Sequence, residues 1–501
     1  MDHSLFALIR NRFPSDPNRA FLETEDGTVF SWADLERVTA RYSGLMADLG
    51  LTKGDRVAVQ TEKSPQSLFL YLACLRSGLI FLPMNTAYQA EEVDYLTANA
   101  EPRLIVCRPE DMESIRAIAQ ARAVPHVLTM DAAGGGGFTE AAASRPADFA
   151  PVTCSAEDVA CILYTSGTTG RPKGAMLTHR NLSANAQALI AAWGIGVEDV
   201  LLHALPIFHA HGLFVACNTT LLAGARMIWL AKFDADAVLD NLGRATTFMG
   251  VPTFYTRLLA NPRLTTDACR HMRLFISGSA PLLEETFRAF RERTGFTILE
   301  RYGMTETGMN TSNPLNGERR PGSVGLPLPG VSARIVGDDG RARTTGEVGV
   351  IQVKGDNVFS GYWRMPEKTA EDFTQDGWFV TGDVGRIDAD GYVHIVGRAK
   401  DLIISGGFNV YPKEVEGVID RLDGVAESAV IGVPHPDFGE AVIAVVKRTS
   451  SGLTEAAVIG AVKARIANYK VPKRVHFVEE LPRNAMGKVQ KNILRATYDE
   501  A

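Results

Sequence analysis

Short apolar runs rich in β-branched and aromatic residues recur along the first two-thirds of the chain, with helical spacing between them. Residues 55–60 (DRVAVQ), 80–85 (IFLPMN), 102–107 (PRLIVC) and 225–230 (ARMIWL) read as strands. Residues 67–78 (SLFLYLACLRSG) read as a buried helix joining the first two. Such alternation predicts parallel sheets covered by helices, an α/β arrangement in layers. After about residue 325 the texture changes: VSARIVGDDGRART (331–344), GVIQVKGD (349–356) and RIDADGYVHIVGR (386–398) are short strands parted by Gly/Asp turns. They predict a small antiparallel β unit. Beyond Arg398, helical KEVEGVIDRL (413–422) and strand-like AESAVIGV (426–433) and AVIAVVK (441–447) predict a compact α+β tail. The expected division is therefore a large domain over 1–398 and a small one over 399–501. The run GGGG at 134–137 reads as a flexible, inserted loop.

A chain of 501 residues exceeds one ordinary core, which agrees with two or more domains. With 46% hydrophobic and 22% charged residues it has the composition of a globular protein. Its formal net charge of −6 argues against broad nucleic-acid or anionic-membrane binding, so neither is expected as a partner. The six cysteines are scattered, with no CxxC pair, so structural zinc and a disulfide framework are not expected. The start carries an acid at Asp2 and only a brief apolar stretch, unlike a signal peptide. No apolar run reaches the ~18 residues that a membrane span needs. These features set a reducing cytoplasm as the expected location.

One stretch changes the picture from fold to chemistry. Residues 164–174, YTSGTTGRPKG, concentrate glycines, hydroxyls and two cations. Successive backbone N–H groups in such a turn form a concave anion site. Gly167 and Gly170 allow close approach, Thr165, Ser166, Thr168 and Thr169 add hydroxyl donors, and Lys173 adds charge. The Gly-Lys-Ser/Thr ending of a P-loop is missing.

This string resembles the signature of the adenylate-forming superfamily of acyl-CoA synthetases, luciferases and peptide-synthetase adenylation domains. The resemblance recurs, in the family's order, at SGSAPL (277–282), ERYGMTET (300–307), DGWFVTGDVG (376–385), GRAKDLIISGG (397–407) and LPRNAMGKVQK (481–491). It covers nearly the whole chain. It implies a small, mobile C-terminal domain and a two-step reaction: the acid attacks the α-phosphate of ATP to give acyl-AMP and pyrophosphate, and CoA then takes the acyl group. On these positions the resemblance makes Glu306 a holder of Mg²⁺ and Thr305 an α-phosphate contact. It makes Gly278, Ser279, Ala280, Glu300, Arg301, Tyr302, Gly303 and Met304 the lining of the adenine slot. Asp383 and Arg398 are to bind the ribose, and Lys488 is to bring a cation to the reacting centre. Lys400 stands at the hinge, with Gly406 and Gly407 beside the pantetheine tunnel. Related enzymes also suggest acetylation of the Lys488 position, which would delete that charge and imply an acetyltransferase and a deacetylase as partners.

The acid must be set by the pocket. LPIFHAHGL (205–213) and MGVPTFYTRLL (249–259) are expected to line it, placing His209, His211 and Arg257 near the substrate. Burying a second carboxylate without a partner costs several kcal/mol, so a dicarboxylate would need a cation, here Arg257. HAHG, GVPTFYTRL and ERYGMTETGMNTSNP together look like malonyl-CoA synthetases, including forms that take methylmalonate, whose methyl would meet Met309. Other short or aryl acids, or a module loading a carrier protein, remain open. So does a catalytically silent nucleotide binder, although Glu306, Asp383, Arg398 and Lys488 are all present.

Overall fold

A computed structural model describes residues 2–165, 172–405, 408–435, 439–484 and 487–499. The expected site residues Ser166, Gly167, Thr168, Thr169, Gly170, Gly406 and Gly407 lie outside them. The described residues form four sheets, and the α/β reading with a large N-terminal and a small C-terminal domain holds.

The first sheet has six strands, ordered His126–Thr129, Leu104–Cys107, Arg56–Gln60, Ile80–Pro83, Val159–Thr165 and Lys173–Thr178. All pairs are parallel except the last. Ile80–Pro83 and Leu104–Cys107 are buried at every position, as parallel strands covered on both faces must be. The helix Pro65–Ser77 starts with a Ser64/Ser67 capping box and a proline, and ends at Gly78 in the left-handed region. It is apolar almost all round and is buried throughout apart from Gln66. The glycine run at 134–137 is no slack loop: Gly134 and Gly135 bond back to Asp131, and Gly137 opens the helix Gly137–Ala143.

The second sheet is nine-stranded, with a parallel centre running Leu299–Met304, Leu274–Ser277, Thr247–Gly250, Val200–His203, Arg226–Trp229 and Ala20–Thr24. Antiparallel strands close both edges. In open α/β sheets, ligands bind beyond the carboxyl ends of the strands. HAHG follows Val200–His203, the 251–259 segment follows Thr247–Gly250, and GSAP follows Leu274–Ser277.

A four-stranded antiparallel sheet, Val331–Val336, Gly349–Gly355, Phe379–Ile387 and Val393–Arg398, matches the expected β unit. After the short turn Ala399–Asp401 comes the C-terminal sheet, built on the long hairpin Val425–His435 and Gly439–Arg448. Strand Arg474–Val478 joins it in parallel, and the helices Pro412–Ile419 and Glu455–Lys463 pack an aliphatic core against it. Among the described residues, all six cysteines are buried and free, and no helix is long and apolar enough to cross a membrane.

Candidate active site

Four groups converge where the phosphate loop leaves and re-enters the first sheet. Glu306, only 6% exposed, accepts from the Thr165 hydroxyl at 3.4 Å and from the Tyr362 hydroxyl at 3.2 Å. Burial raises its pKa above the ordinary carboxylate value, against the opposing pull of Lys173 and Arg398. Lys173 Nζ lies 4.1 Å from the Tyr362 ring centre and 3.6 Å from Asp372. Tyr362 carried no sequence signal; its position next to the loop comes from the backbone pairing of residues 174–176 with 361–363. Thr305 sits half-buried in the turn before Glu306.

A second cluster ties the nine-stranded sheet to the antiparallel unit. The Tyr302 hydroxyl donates to Asp383 at 2.5 Å, and Arg398 Nε donates to the other Asp383 oxygen at 2.6 Å. Antiparallel register puts Asp383 directly opposite Arg398, so two motifs distant in sequence share one place. Asp383 is 3% exposed, and burial raises the Tyr302 phenol far above its usual pKa. Glu300, expected in the adenine slot, turns its carboxylate to the Leu282 N–H at 3.0 Å and anchors the 278–282 loop from behind. Burial lifts its pKa to about 7.

The third cluster departs from expectation at two arginines. Arg257 is exposed on the helix Pro252–Ala260, whose buried positions are Tyr255 and Leu258, so the arginine expected to meet a second carboxylate is not a buried group. The buried cation is instead Arg301, expected beside adenine. It is 3% exposed, and its Nε and Nη2 have no hydrogen-bond partner. The guanidinium fills the space above Gly278, where a Cβ would stand 2.3 Å from its carbon. Burial lowers its pKa to about 9. His209 and His211 lie within its field: burial and then Arg301 bring His209 to about 4 and His211 well below 6.5. His211 Nδ1 meets the Ser279 hydroxyl at 3.1 Å, and its Nε2 is buried and unpartnered. Ser279 holds a φ of 71° without being glycine, strain of the kind stored at functional sites. Ser277 Oγ is a further buried, unpartnered group at this end of the sheet. Sequence reasoning did not single it out, although it opens the run SGSAPL. Met309 is buried, its backbone clamped by the Asn185 amide and its methyl packed at Gly303. Ala280 follows the strained serine, and Met304 ends the strand that carries Arg301 and Tyr302.

Lys488 comes from the C-terminal domain on a tight turn: its N–H donates to Asn484 Oδ1, and the Asn484 N–H returns a bond to its carbonyl, each 3.0 Å. Gly487 rests on Thr253 at the start of the 252–260 helix. The residue as a whole is exposed, but its ammonium end is crowded: desolvation, then Arg398 and Lys400, draw its pKa to about 8, while Asp383 and Asp401 oppose them. Lys400 is exposed on the turn between the two domains' sheets.

A family described as AMP-binding enzyme matches residues 9–363, and its C-terminal domain matches residues 414–488. The chain is similar to ATP-bound MatB from Rhodopseudomonas palustris, 54% identical, over 100% of this chain and 99% of that one, with a TM-score of 0.98. For the apo form of MatB, at the same coverage and 55% identity, the TM-score is 0.87. A feruloyl-CoA synthase of an Amycolatopsis species is 38% identical over 94% of either chain. A malonate–CoA ligase of Arabidopsis thaliana is 35% identical over 92% of this chain and 80% of its own length.

Proposed function

Because this chain belongs to the AMP-binding enzyme family and is an AMP-forming acyl-CoA synthetase, we propose that the acid it activates is malonate or methylmalonate. One observation carries the choice: Arg301 Nε and Nη2, His211 Nε2 and Ser277 Oγ are all buried without a partner. A buried guanidinium left unpaired costs several kcal/mol, which a ligand anion would repay by accepting from it. An aryl or fatty acid offers no second anion and would leave Arg301 orphaned. Relatives named for feruloyl and for malonate are similar to this chain to nearly the same degree, so similarity alone does not choose. The unpaired guanidinium supports malonate or methylmalonate.

In this reading one carboxylate of the acid pairs with Arg301, and the other attacks the α-phosphorus of ATP. The bond to the bridging oxygen breaks and pyrophosphate departs. Lys488 and Thr305 neutralise charge growing on the α-phosphate, while residues 165–170 and Lys173 hold the β- and γ-phosphates. Asp383 and Arg398 bind the ribose, with Tyr302 and the 278–280 loop against the base. Glu306 fits a Mg²⁺ ion: it is a buried carboxylate with a raised pKa, and among the described residues the hydroxyls of Thr165 and Tyr362 donate to it. Bound there, Mg²⁺ would neutralise phosphate charge. No group of three or more His, Cys, Asp or Glu residues suited to a metal occurs among the described residues, consistent with an ion shared with the triphosphate.

In the second step CoA displaces AMP from the acyl carbonyl. Residues 399–501 would turn about Lys400 to withdraw Lys488 and bring Gly406 and Gly407 to the pantetheine. The greater likeness to ATP-bound than to apo MatB supports reading the present arrangement as the adenylating one. The reading is tested by pyrophosphate release with C2–C5 mono- and dicarboxylic acids, with and without CoA. Malonate or methylmalonate should exceed acetate and butyrate by orders of magnitude. Equal use of acetate would overturn the assignment, and release of ADP would overturn the reaction.

A further inference from the structure

Behind the HAHG segment lies Lys63, a half-buried residue with an enclosed ammonium end that none of these steps uses. Lys63 follows the strand Arg56–Gln60, and its Nζ is 2.8 Å from His203 Nδ1, 2.9 Å from the His203 carbonyl and 2.5 Å from the Leu230 carbonyl. It also lies 4.3 Å from the centre of the Trp229 ring, which stacks on His203. Three acceptors match the three N–H bonds of an ammonium ion. Glu25, whose charge favours the protonated lysine, gives its carboxylate to the Ala231 N–H instead. An ammonium donating to Nδ1 fixes the proton of His203 on Nε2, and that nitrogen faces the Gly212 carbonyl at 2.9 Å and the Cys217 Sγ at 3.3 Å. Gly212 belongs to the π-helix His211–Cys217, and it is jammed against the chain: a Cβ there would stand 2.0 Å from the Pro206 carbonyl oxygen. Single π-turns of this kind gather at functional sites.

The geometry points to Lys63 as a positioning residue for the acid: through the tautomer of His203 it pins Gly212, and so holds the neighbouring His211 imidazole in the pocket beside Arg301. This rests on the reading of that pocket as the acid site, but not on which acid fills it. Burial lowers the Lys63 pKa to about 7, against the pull of Cys217 on the π-helix and Glu25 on the edge hairpin. As pH rises through that value one donor is lost, Nδ1 can take the imidazole proton, and the bond to Gly212 fails.

The test is steady-state pyrophosphate release by Lys63→Met with whichever acid the unmodified enzyme activates best, so that an error over malonate leaves it intact. The KM for the acid should rise about tenfold or more while the KM for ATP stays within twofold. In the unmodified enzyme the acid KM should climb above pH ~7, and in Lys63→Met it should be flat there. His203→Phe should match Lys63→Met, and the double variant should be no worse than the worse single one, as for two members of one chain. An unchanged acid KM, or equal rises for acid and ATP, would overturn the proposal. Should Lys63→Met not fold, Lys63→Gln keeps two donors without the charge: a smaller rise confined to the acid KM supports the role, and no rise refutes it.

Discussion

Gly278 and Arg301 compete for one space: a Cβ on residue 278 would sit 2.3 Å from the guanidinium carbon of Arg301. The glycine is therefore what lets a cation lie buried at the carboxyl ends of the central strands. Two substitutions test its purpose. Arg301→Met should cut the preference for malonate over acetate by a hundredfold or more, because acetate never used the charge. Gly278→Ala should push the guanidinium aside and give an intermediate loss. An unpaired buried cation destabilises the ligand-free protein, so the thermal midpoint of Arg301→Met should rise, or at least hold. Unchanged selectivity in Arg301→Met would remove this side chain from acid recognition.

The contrast between Arg257 and Arg301 marks how far the sequence could be read. Both arginines stand in quoted motifs, and the chemistry of a buried carboxylate asks for a cation in the pocket without saying which. Which arginine supplies it depends on helical phase at residues 252–260 and on a side chain reaching past Gly278. Neither is expressed in a one-dimensional pattern. By the same logic Asp383 and Arg398 were legible as motif residues, whereas their pairing with Tyr302 needed strand register and sheet packing. The layered strands and the antiparallel unit were legible because apolar runs and Gly/Asp turns encode them locally. Tyr362 and Lys63 were not, since an isolated tyrosine or lysine looks the same buried or solvated.

Glu306 should impose an acid limb on adenylation. Its folded-state pKa is raised above 4.5 by burial, so the ionised form that would hold Mg²⁺ is lost as pH falls through that raised value, earlier than for an exposed carboxylate. In Glu306→Gln the Mg²⁺ concentration for half-maximal pyrophosphate release should rise at least tenfold, and the limb should vanish. Titrating Mg²⁺ against rate between pH 5 and pH 7.5 reads both, and an unchanged Mg²⁺ response would exclude Glu306 as a ligand.

Lys488 should impose the opposite limb. Its pKa is lowered to about 8, so the charged form declines as pH rises through that value and acyl-AMP formation should decline with it. Thioester formation from supplied acyl-AMP should lack this limb. Lys488→Ala, or the acetyl-mimicking Lys488→Gln, should slow adenylation by about a hundredfold or more while sparing the second step. Equal slowing of both half-reactions would contradict a role confined to the first. Mass spectrometry of protein from cells grown on different carbon sources would reveal acetyl-Lys488 if this charge is regulated.

Lys400 offers the sharpest separation of the two steps. It is exposed on the short turn Ala399–Asp401, between the strand that ends at Arg398 and the one that begins at Ile403. On one side of the turn Arg398 is tied to Asp383 in the large domain; on the other Asp401 is tied to Arg495 in the small one. A swing of the small domain must therefore be absorbed by the backbone between residues 398 and 401. Proline at 400 fixes φ near −65° and restricts Ala399 as well, so it stiffens this link without touching either ion pair. If the present arrangement is the adenylating one, Lys400→Pro should form acyl-AMP at nearly the normal rate and transfer it to CoA at least tenfold more slowly. Rapid-quench measurement of each half-reaction decides the matter. Loss of adenylation with transfer intact would mean that the turn works in the other direction, and equal damage to both would mean that it is no hinge.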